Sequence, residues 1–212
     1  MARPKTLDLD LADVDTDFFV DGATGDLSGG ITLQNTDTPD GLAHQLSFVS
    51  SGDISTADFV IIGTDADNKE ITETVTGVTT TPVETTLYFK TVESITSVDD
   101  IGEETLDVGF VDEAVSKTYP LEGYQDVGAA VQLKVTGTIN VDVEVTAANV
   151  FEFDSQAAIP WMNTTNTNLV AETADAFGSI EPGARALRIV VNSYSSGAEV
   201  QAYISQTRGS IP

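Results

Sequence analysis

Residues 131–145 have the sequence VQLKVTGTINVDVEV, and this stretch decides the fold class of the chain. An apolar residue or Gly137 occupies every odd position, and mostly polar residues lie between them. Alternation with a period of two is typical of a β-strand that buries one face. Gly137 predicts a bulge, a bend between two sheets, or a tight turn between two shorter strands. We therefore expect a β protein.

The same alternation recurs on both sides of this stretch, and no segment has a convincing helical period. FVIIG at 59–63 and EITETV at 70–75 flank a loop of turn-forming residues, which predicts a hairpin. ALRIVVNSY at 186–194 and AEVQAYISQ at 198–206 predict a C-terminal hairpin around residues 195–197. Further sheet is expected at 31–33, 46–49, 86–98 and 105–111. The predicted fold is all-β, with two tandem small antiparallel β-sandwich or barrel-like domains and an extended N-terminal arm.

Three parts are predicted along the chain: an N-terminal arm at 1–26, an acidic β domain at 27–117 and a C-terminal β-sandwich domain at 118–212. The boundary is placed at KTYPLEGYQDVGA, residues 117–129, because a proline and two glycines interrupt the strand pattern there.

Composition excludes several kinds of chemistry. The 212 residues include no cysteine, which rules out disulfides, thiol nucleophiles, cysteine-based zinc sites and iron–sulfur clusters. A hydrophobic content of 41% is sufficient for well-packed cores. No run approaches the roughly 18 apolar residues of a membrane span, and the N-terminus lacks the apolar region of a signal peptide. We expect a protein made in the cytosol, with no membrane partner.

The charge is strongly negative and unevenly distributed. The net charge is −25, so attraction to nucleic acid or to anionic lipid is not expected. Residues 1–117 carry 24 acidic and 5 basic side chains (net −19), whereas 118–212 carry 10 and 4 (net −6). This asymmetry favours the C-terminal half as the more buried or contacting one. A saline habitat or a need for solubility would explain the acidity equally well.

Two aspartate clusters suggest cation binding. Asp13, Asp15 and Asp17 alternate, and hard cations prefer clustered carboxylates. The EF-hand pattern fails, since Phe18 stands where glycine is needed and Thr24 where the bidentate glutamate is needed. A solvated acidic edge that resists unwanted strand pairing is the favoured interpretation. In the loop at 64–67, Asp65 and Asp67 suit either a cation or the hairpin turn itself.

No catalytic centre is predicted. His44 is the only histidine, so a three-histidine zinc site is excluded, and a surface or capping role is favoured for it. The single Trp161 lies beside Pro160 in a loop rich in asparagine and threonine, where closing the mouth of a sandwich is a more common role than ligand binding. Glycosidases use two carboxyl groups at a defined separation, and the sequence alone does not give the separation of any pair of acidic residues.

Two long segments resemble tailed-bacteriophage virion proteins. The first combines FVIIGTDADNKEITETVTG at 59–77 with TTLYFKTVESITSV at 85–98, and the second combines VTGTINVDVEVTAANVF at 135–151 with RALRIVVNSYSSGAEVQAYISQ at 185–206. The resemblance extends over about residues 44–206. The chain departs from the pattern at the first hairpin tip, where Asn68 and Lys69 replace a turn that contains glycine. The family offers no enzymatic residues to carry over.

The resemblance implies a capsid cement or decoration protein that is made in the bacterial host cytoplasm and coats the exterior of a phage head. Its partners would be the major capsid protein and itself, as a homotrimer, because lattice symmetry favours a matching oligomer. Two alternatives remain: a tail or head-to-tail connector component, and a carbohydrate-binding or adhesion module displayed on the virion. Copy number per particle would distinguish a cement protein from a connector.

Two groups of residues are candidates for partner contacts. Leu7, Leu9, Leu11, Phe18 and Phe19 make the arm too apolar for a free tail, so we expect it to add a strand to a neighbouring subunit or pack on the shell. Arg185 and Arg188 flank a predicted strand, where they pair either with a neighbour's acidic arm or with ordinary surface carboxylates.

Overall fold

The computed structural model describes residues 5–79, 81–97, 99–121 and 128–206 of the chain. Within these residues the regular elements are β-strands and three short 3-10 turns, at Val150–Glu152, Gln156–Ala158 and Thr167–Leu169. The strands are β1 (Lys5–Asp10), β2 (Asp15–Ala23), β3 (Ala43–Ser50), β4 (Asp58–Thr64), β5 (Glu70–Thr76), β6 (Val83–Phe89), β7 (Thr91–Ser97), β8 (Leu106–Val115), β9 (Tyr119–Pro120), β10 (Ala129–Thr136), β11 (Ile139–Thr146), β12 (Met162–Asn163), β13 (Ala176–Ile180), β14 (Ala186–Tyr194) and β15 (Glu199–Gln206). The predicted all-β class is confirmed.

The chain divides into two compact units. The front unit is Val14–Ala114, and the back unit joins Met1–Asp13 to Val115–Pro212. The arm predicted at 1–26 is therefore shared, since β1 belongs to the back unit and β2 to the front unit. The boundary between the units at Ala114 and Val115 lies near the predicted boundary segment 117–129. Residues 122–127 of that segment are outside the described part of the chain.

The front unit contains a three-stranded sheet in the order β5-β4-β7 and a second group in which β3 lies between β8 and β6, with β2 paired to β8. The predicted hairpin at 59–75 is confirmed, because β4 pairs antiparallel with β5 from Asp58↔Thr76 to Thr64↔Glu70. Alternation buries one face of β4, including Phe59 and Ile61. The strand predicted at 31–33 is wrong; Ile31 makes a single backbone hydrogen bond, to Ile95.

The back unit contains two antiparallel sheets. One has the order β1-β15-β10-β13, and the other has β12-β11-β14 with β9 paired to β14. The inward positions are apolar along both sheets, with Val131 and Leu133 buried on β10 and Val141 and Val143 buried on β11. The period-two pattern of residues 131–145 thus supplies buried residues to both sheets.

Gly137 marks the point where the chain passes from one sheet to the other. Its φ of +81° is in the left-handed region, which glycine adopts without a side-chain clash. β10 ends at Thr136 in the first sheet, and β11 begins at Ile139 in the second. Of the three alternatives predicted at this glycine, the bend between two sheets is the one observed.

The C-terminal hairpin predicted at 186–206 is wrong. β14 pairs with β11, from Thr146↔Ala186 to Ile139↔Tyr194, whereas β15 pairs with β10, from Ala129↔Gln206 to Thr136↔Glu199. The turn at 195–197, with Gly197 at a φ of +72°, is therefore a second corner between the sheets. Its anchor is the Ser195 N–H, which donates to the Thr138 carbonyl 2.9 Å away. Two long strands consequently bend side by side from one sheet into the other.

Candidate functional site

The leucines predicted to contact a neighbour are buried in the fold of their own chain. β1 pairs antiparallel with β15 over its whole length, from Lys5↔Ile204 to Asp10↔Glu199. Leu7, Leu9 and Leu11 are 9%, 2% and 4% exposed. The expectation that they add a strand to another subunit is therefore corrected: the segment does add an edge strand, but to its own sheet, because β15 offers a free edge and a matching apolar face.

Phe18 and Phe19 also pack within their own unit. Phe19 is fully buried, and the Phe18 ring meets it edge-on with centroids 5.1 Å apart. Phe18 makes a second edge-on contact, to Phe110 on β8, with centroids 5.4 Å apart. β2 is held there by its pairing with β8. Phe19 is thus unavailable to a partner, and Phe18 is only partly accessible.

Arg188 is committed to contacts inside the back unit. Its Nε and Nη2 each lie 2.7 Å from Glu144 Oε2, and Nη1 donates to Gln156 Oε1 at 3.0 Å. The guanidinium also lies over the ring of Trp161, whose Nε1–H donates to the Gln156 carbonyl at 3.0 Å. Glu144 is directly opposite Arg188 across β11 and β14, so sheet register creates the ion pair. The predicted pairing with a neighbour's arm is corrected to an intrachain network.

Arg185 differs from Arg188. Its backbone N–H donates to the Thr146 carbonyl and its own carbonyl accepts from Leu121 N–H, each at 2.7 Å, while the residue is exposed. Of the two predicted arginines, Arg185 is the one whose guanidinium remains accessible at the surface.

The three alternating aspartates are at the surface rather than around a cavity. Asp13 and Asp17 are exposed, and the Asp17 N–H donates to Asp15 Oδ1 at 3.3 Å. A side-chain hydrogen bond with Asp15, together with the charge of that neighbour, raises the pKa of Asp17 above its ordinary value. Across the described residues, no group of three or more histidine, cysteine, aspartate or glutamate side chains is arranged to hold a metal ion.

Asp65 organises the tip of the β4–β5 hairpin. Its Oδ1 accepts hydrogen bonds from the N–H groups of Asp67 at 2.8 Å and Lys69 at 3.0 Å, and the residue is buried. Asn68 adopts a φ of +60°, a conformation that asparagine tolerates better than most residues. The sequence allowed either cation binding or a role in the hairpin turn for Asp65. The hydrogen bonds of its carboxylate to the backbone directly support the role in the turn.

His44 is buried, so the surface role, one of the two roles predicted for it beside capping, is wrong. It is fully enclosed, with Nε2 2.9 Å from Asp40 Oδ2 and Nδ1 3.4 Å from the Val111 carbonyl oxygen. Its ring centroid lies 4.9 Å from that of Phe110. The histidine thereby ties the loop that carries Asp40 to β8 in the front unit, which is a structural role.

Two apolar side chains project from the segment between β11 and β13, and sequence analysis did not single them out. Phe151 is 79% exposed and Met162 is 63% exposed. Each is the chain neighbour of a residue in one hydrophobic cluster, which contains Val150, Ile159 and Ala186 with Phe153 and Trp161 packed against it. We call Phe151 and Met162 the insert surface. The apolar residues Val150, Phe151 and Phe153 were the available signal, but the sequence does not show that Phe151 is exposed in the 3-10 turn.

A second exposed group lies on the outer face of the sheet β1-β15-β10-β13. Strand register aligns Thr6 with Tyr203, Tyr203 with Gln132, and Gln132 with Phe177. All four are exposed, Phe177 by 65% and Tyr203 by 37%. We call these four residues the aromatic row. The alternating pattern predicts that they face away from the core, but not that they are neighbours.

Exposed large hydrophobic residues are concentrated in the back unit. Of those in the described residues, Phe151, Met162, Phe177 and Tyr203 belong to the back unit, and Val14 belongs to the front unit. The same described residues contain no helix long and apolar enough to cross a membrane. Comparison of the chain with models of protein families, with curated proteins and with solved structures finds no match.

Proposed function

We propose that this protein is a structural component of a tailed-phage virion that binds the outer surface of the head as a cement or decoration protein. It acts as a homo-oligomer, a homotrimer at three-fold positions, with the major capsid protein as its partner. It is made in the bacterial host cytoplasm and needs no catalytic centre. The resemblance of residues 59–98 and 135–206 to virion proteins motivates the proposal.

The insert surface is the observation that carries the proposal. Phe151 is 79% exposed in the free chain, and burying a phenylalanine or methionine side chain stabilises an association by about 1.5–3 kcal/mol. Each residue follows directly on a residue of the packed cluster, Val150 or Trp161, so the backbone that carries the exposed side chain is anchored. Phenylalanine and methionine, the two residue types of the insert surface, are both enriched at protein interfaces.

The charge distribution is consistent with contact through the back unit. The back unit (1–13 and 115–212) carries 13 acidic and 7 basic residues, a net charge of −6, whereas the front unit (14–114) carries 21 acidic and 2 basic residues, a net charge of −19. Removing dense like charge from water is costly, and interface cores are depleted of charged residues. The front unit is therefore the more solvent-facing one in the proposed arrangement, and its charge keeps decorated particles from adhering to one another.

Purified virions and a pair of variants test the proposal. The Phe151→Ser/Met162→Ser double variant changes only exposed side chains, so it should fold like the native chain. It should bind undecorated heads at least tenfold more weakly. The control is Phe177→Ser/Tyr203→Ser, which removes the same kind of surface elsewhere on the back unit and should bind heads normally.

Copy number decides between the head and the connector. A cement protein occurs in hundreds of copies per particle, whereas a connector occurs in about one ring of subunits. Quantitative gel analysis that finds only ring-level amounts, or labelling that places the protein at the tail alone, would refute the head assignment. Equal head binding by the native chain and the insert-surface variant would refute the role of that surface.

A further inference from the structure

We propose that the aromatic row binds a neutral, extended oligosaccharide that lies across the strands of the sheet β1-β15-β10-β13. This site is separate in sequence and in residues from the insert surface, and it does not depend on the virion assignment. Four kinds of observation lead to it: the positions of the rings, the polar groups between them, the local charge and the size of the face.

The two rings are placed for stacking on sugars. Phe177 on β13 and Tyr203 on β15 both pair with Gln132 on the intervening β10, so they stand on the same face two strand spacings apart. That separation is about 10 Å, comparable with the length of a disaccharide. Exposed aromatic rings present an apolar surface to a ligand while their edges remain in water. A sugar chain running from one ring to the other would contact both.

Polar groups lie between and beside the rings. The exposed Gln132 side chain stands between them, and its amide can both donate to and accept from sugar hydroxyls. The Tyr203 hydroxyl donates to Gln201 Oε1 at 3.0 Å, which fixes its orientation and leaves its oxygen able to accept. Paired donors and acceptors without formal charge suit hydroxyl-rich ligands.

The row is uncharged in a strongly acidic protein. No charged residue occurs among Thr6, Tyr203, Gln132 and Phe177, and the adjacent row of Ser205, Ala130 and Ser179 is also uncharged. On the other side, Asp8, Gln201 and Lys134 include one charge of each sign. With a net charge of −25 on the whole chain, an anionic polymer would be repelled. The charge pattern therefore matches a neutral ligand.

The size of the face favours a small ligand over a protein partner. Four strands of five to eight residues give an area of roughly 250–400 Å² at the usual strand spacing and rise. A stable protein–protein interface takes about 800 Å² from each partner. The face is thus about a third to a half of the size that a second copy of the chain would need, but it is ample for an oligosaccharide of a few residues.

Titration calorimetry with cellohexaose, maltohexaose and chitohexaose tests the proposal on the full chain. At least one should bind with a Kd below about 1 mM, at an affinity that salt does not change. Phe177→Ala/Tyr203→Ala should weaken that binding at least tenfold, and Gln132→Ala should weaken it several-fold. Phe151→Ser/Met162→Ser is the matched control and should bind sugar like the native chain.

Several results would overturn the proposal. One is that none of the three sugars binds with a Kd below about 1 mM. A second is that the Phe177→Ala/Tyr203→Ala variant binds as well as the native chain, and a third is that anionic polygalacturonate binds more tightly than every neutral sugar. The fourth result would come from analytical sedimentation. If the native chain self-associates and only the Phe177→Ala/Tyr203→Ala variant does not, the face binds a second copy of the chain instead of a sugar. Loss of head binding by the insert-surface variant bears on the virion proposal alone.

Discussion

The guanidinium carbon of Arg188 lies 4.8 Å from the centroid of the Trp161 ring, while its nitrogens bind the carboxylate of Glu144 and the amide oxygen of Gln156. One side chain thus joins β11, β14 and the segment that follows β11. These contacts require the planar guanidinium group of arginine. Lysine can neither stack flat on the indole nor form the same forked set of hydrogen bonds.

Arg188→Ala should destabilise the protein by about 2–4 kcal/mol, because it leaves the partly buried Glu144 without its counter-charge and removes the cation–π contact. Trp161 is the only tryptophan, so its fluorescence reports directly on this contact. We expect the tryptophan emission of the Arg188→Ala variant to be red-shifted, and its denaturation midpoint to lie at a lower denaturant concentration than that of the native chain. Arg185→Ala is the control and should change stability by less than about 0.5 kcal/mol. Identical emission from the native and Arg188→Ala chains would contradict the stacking.

Leu9→Ala should destabilise the protein by about 2–4 kcal/mol, because Leu9 is 2% exposed and its removal leaves a cavity under the edge strand β1. Asp8→Ala, on the exposed face of the same strand, should cost far less. Urea denaturation followed by circular dichroism measures both. Equal midpoints for these two variants would mean that β1 does not pack on its sheet.

The burial of one face of β1 predicts the effect of deleting residues 1–20. Residues 1–20 include the edge strand β1 and five buried core side chains, so their deletion removes both at once. The five are Leu7, Leu9, Leu11, Phe19 and Val20. We expect the truncated chain to be unfolded or much less stable than the native chain, as measured by urea denaturation followed by circular dichroism. A truncated chain with the native denaturation midpoint would contradict the packing of this segment.

Sequence patterns predicted which residues are buried better than they predicted which strands are partners. The alternation at 131–145 identified the inward residues of β10 and β11, and the turn formers at 64–69 identified the β4–β5 hairpin. Alternation specifies a face but not a neighbour. The segments at 186–206 were therefore joined as a hairpin, although each strand pairs with a different sheet.

The candidate surfaces were less predictable for the same reason. The apolar arm was expected to seek a partner, and only the free edge of β15 shows that the partner is the same chain. The aromatic row exists only after β13 and β15 are aligned on β10 in register, which brings together residues far apart in sequence. Phe151 lies in a 3-10 turn at Val150–Glu152, which the sequence did not predict, and it is 79% exposed there.

Gly63→Ala should destabilise the front unit by about 1–3 kcal/mol or more. A Cβ at this position would lie 2.0 Å from the Thr91 carbonyl oxygen, so the backbone of β7 would have to move. The pairing of β4 with β7 is already irregular at this point. Gly29→Ala is a matched control, since a Cβ there meets open space and the alanine reduces the freedom of the unfolded chain. Thermal unfolding should separate the two variants clearly; equal melting temperatures would contradict the close approach.

The stability of the front unit should depend on pH through Glu113. Partial burial raises the pKa of Glu113, with the nearby Glu84 and Asp112 adding to the effect and the hydrogen bond from the Tyr88 hydroxyl opposing it. A carboxyl group whose pKa is higher in the folded state binds its proton more readily there. Its contribution to stability therefore falls as pH rises from the ordinary pKa of glutamate through the higher folded value.

Glu113→Gln removes this penalty and keeps an oxygen to accept from Tyr88, so the variant should be more stable than the native chain at pH 7. The difference should shrink as the pH is lowered below the ordinary glutamate pKa, where Glu113 is protonated in both states. Glu93→Gln, at an exposed position, controls for the loss of one negative charge from an acidic protein. Urea denaturation of the three chains between pH 4 and pH 7 measures the effect. An equal gain from both substitutions would show that net charge, and not the burial of Glu113, is responsible.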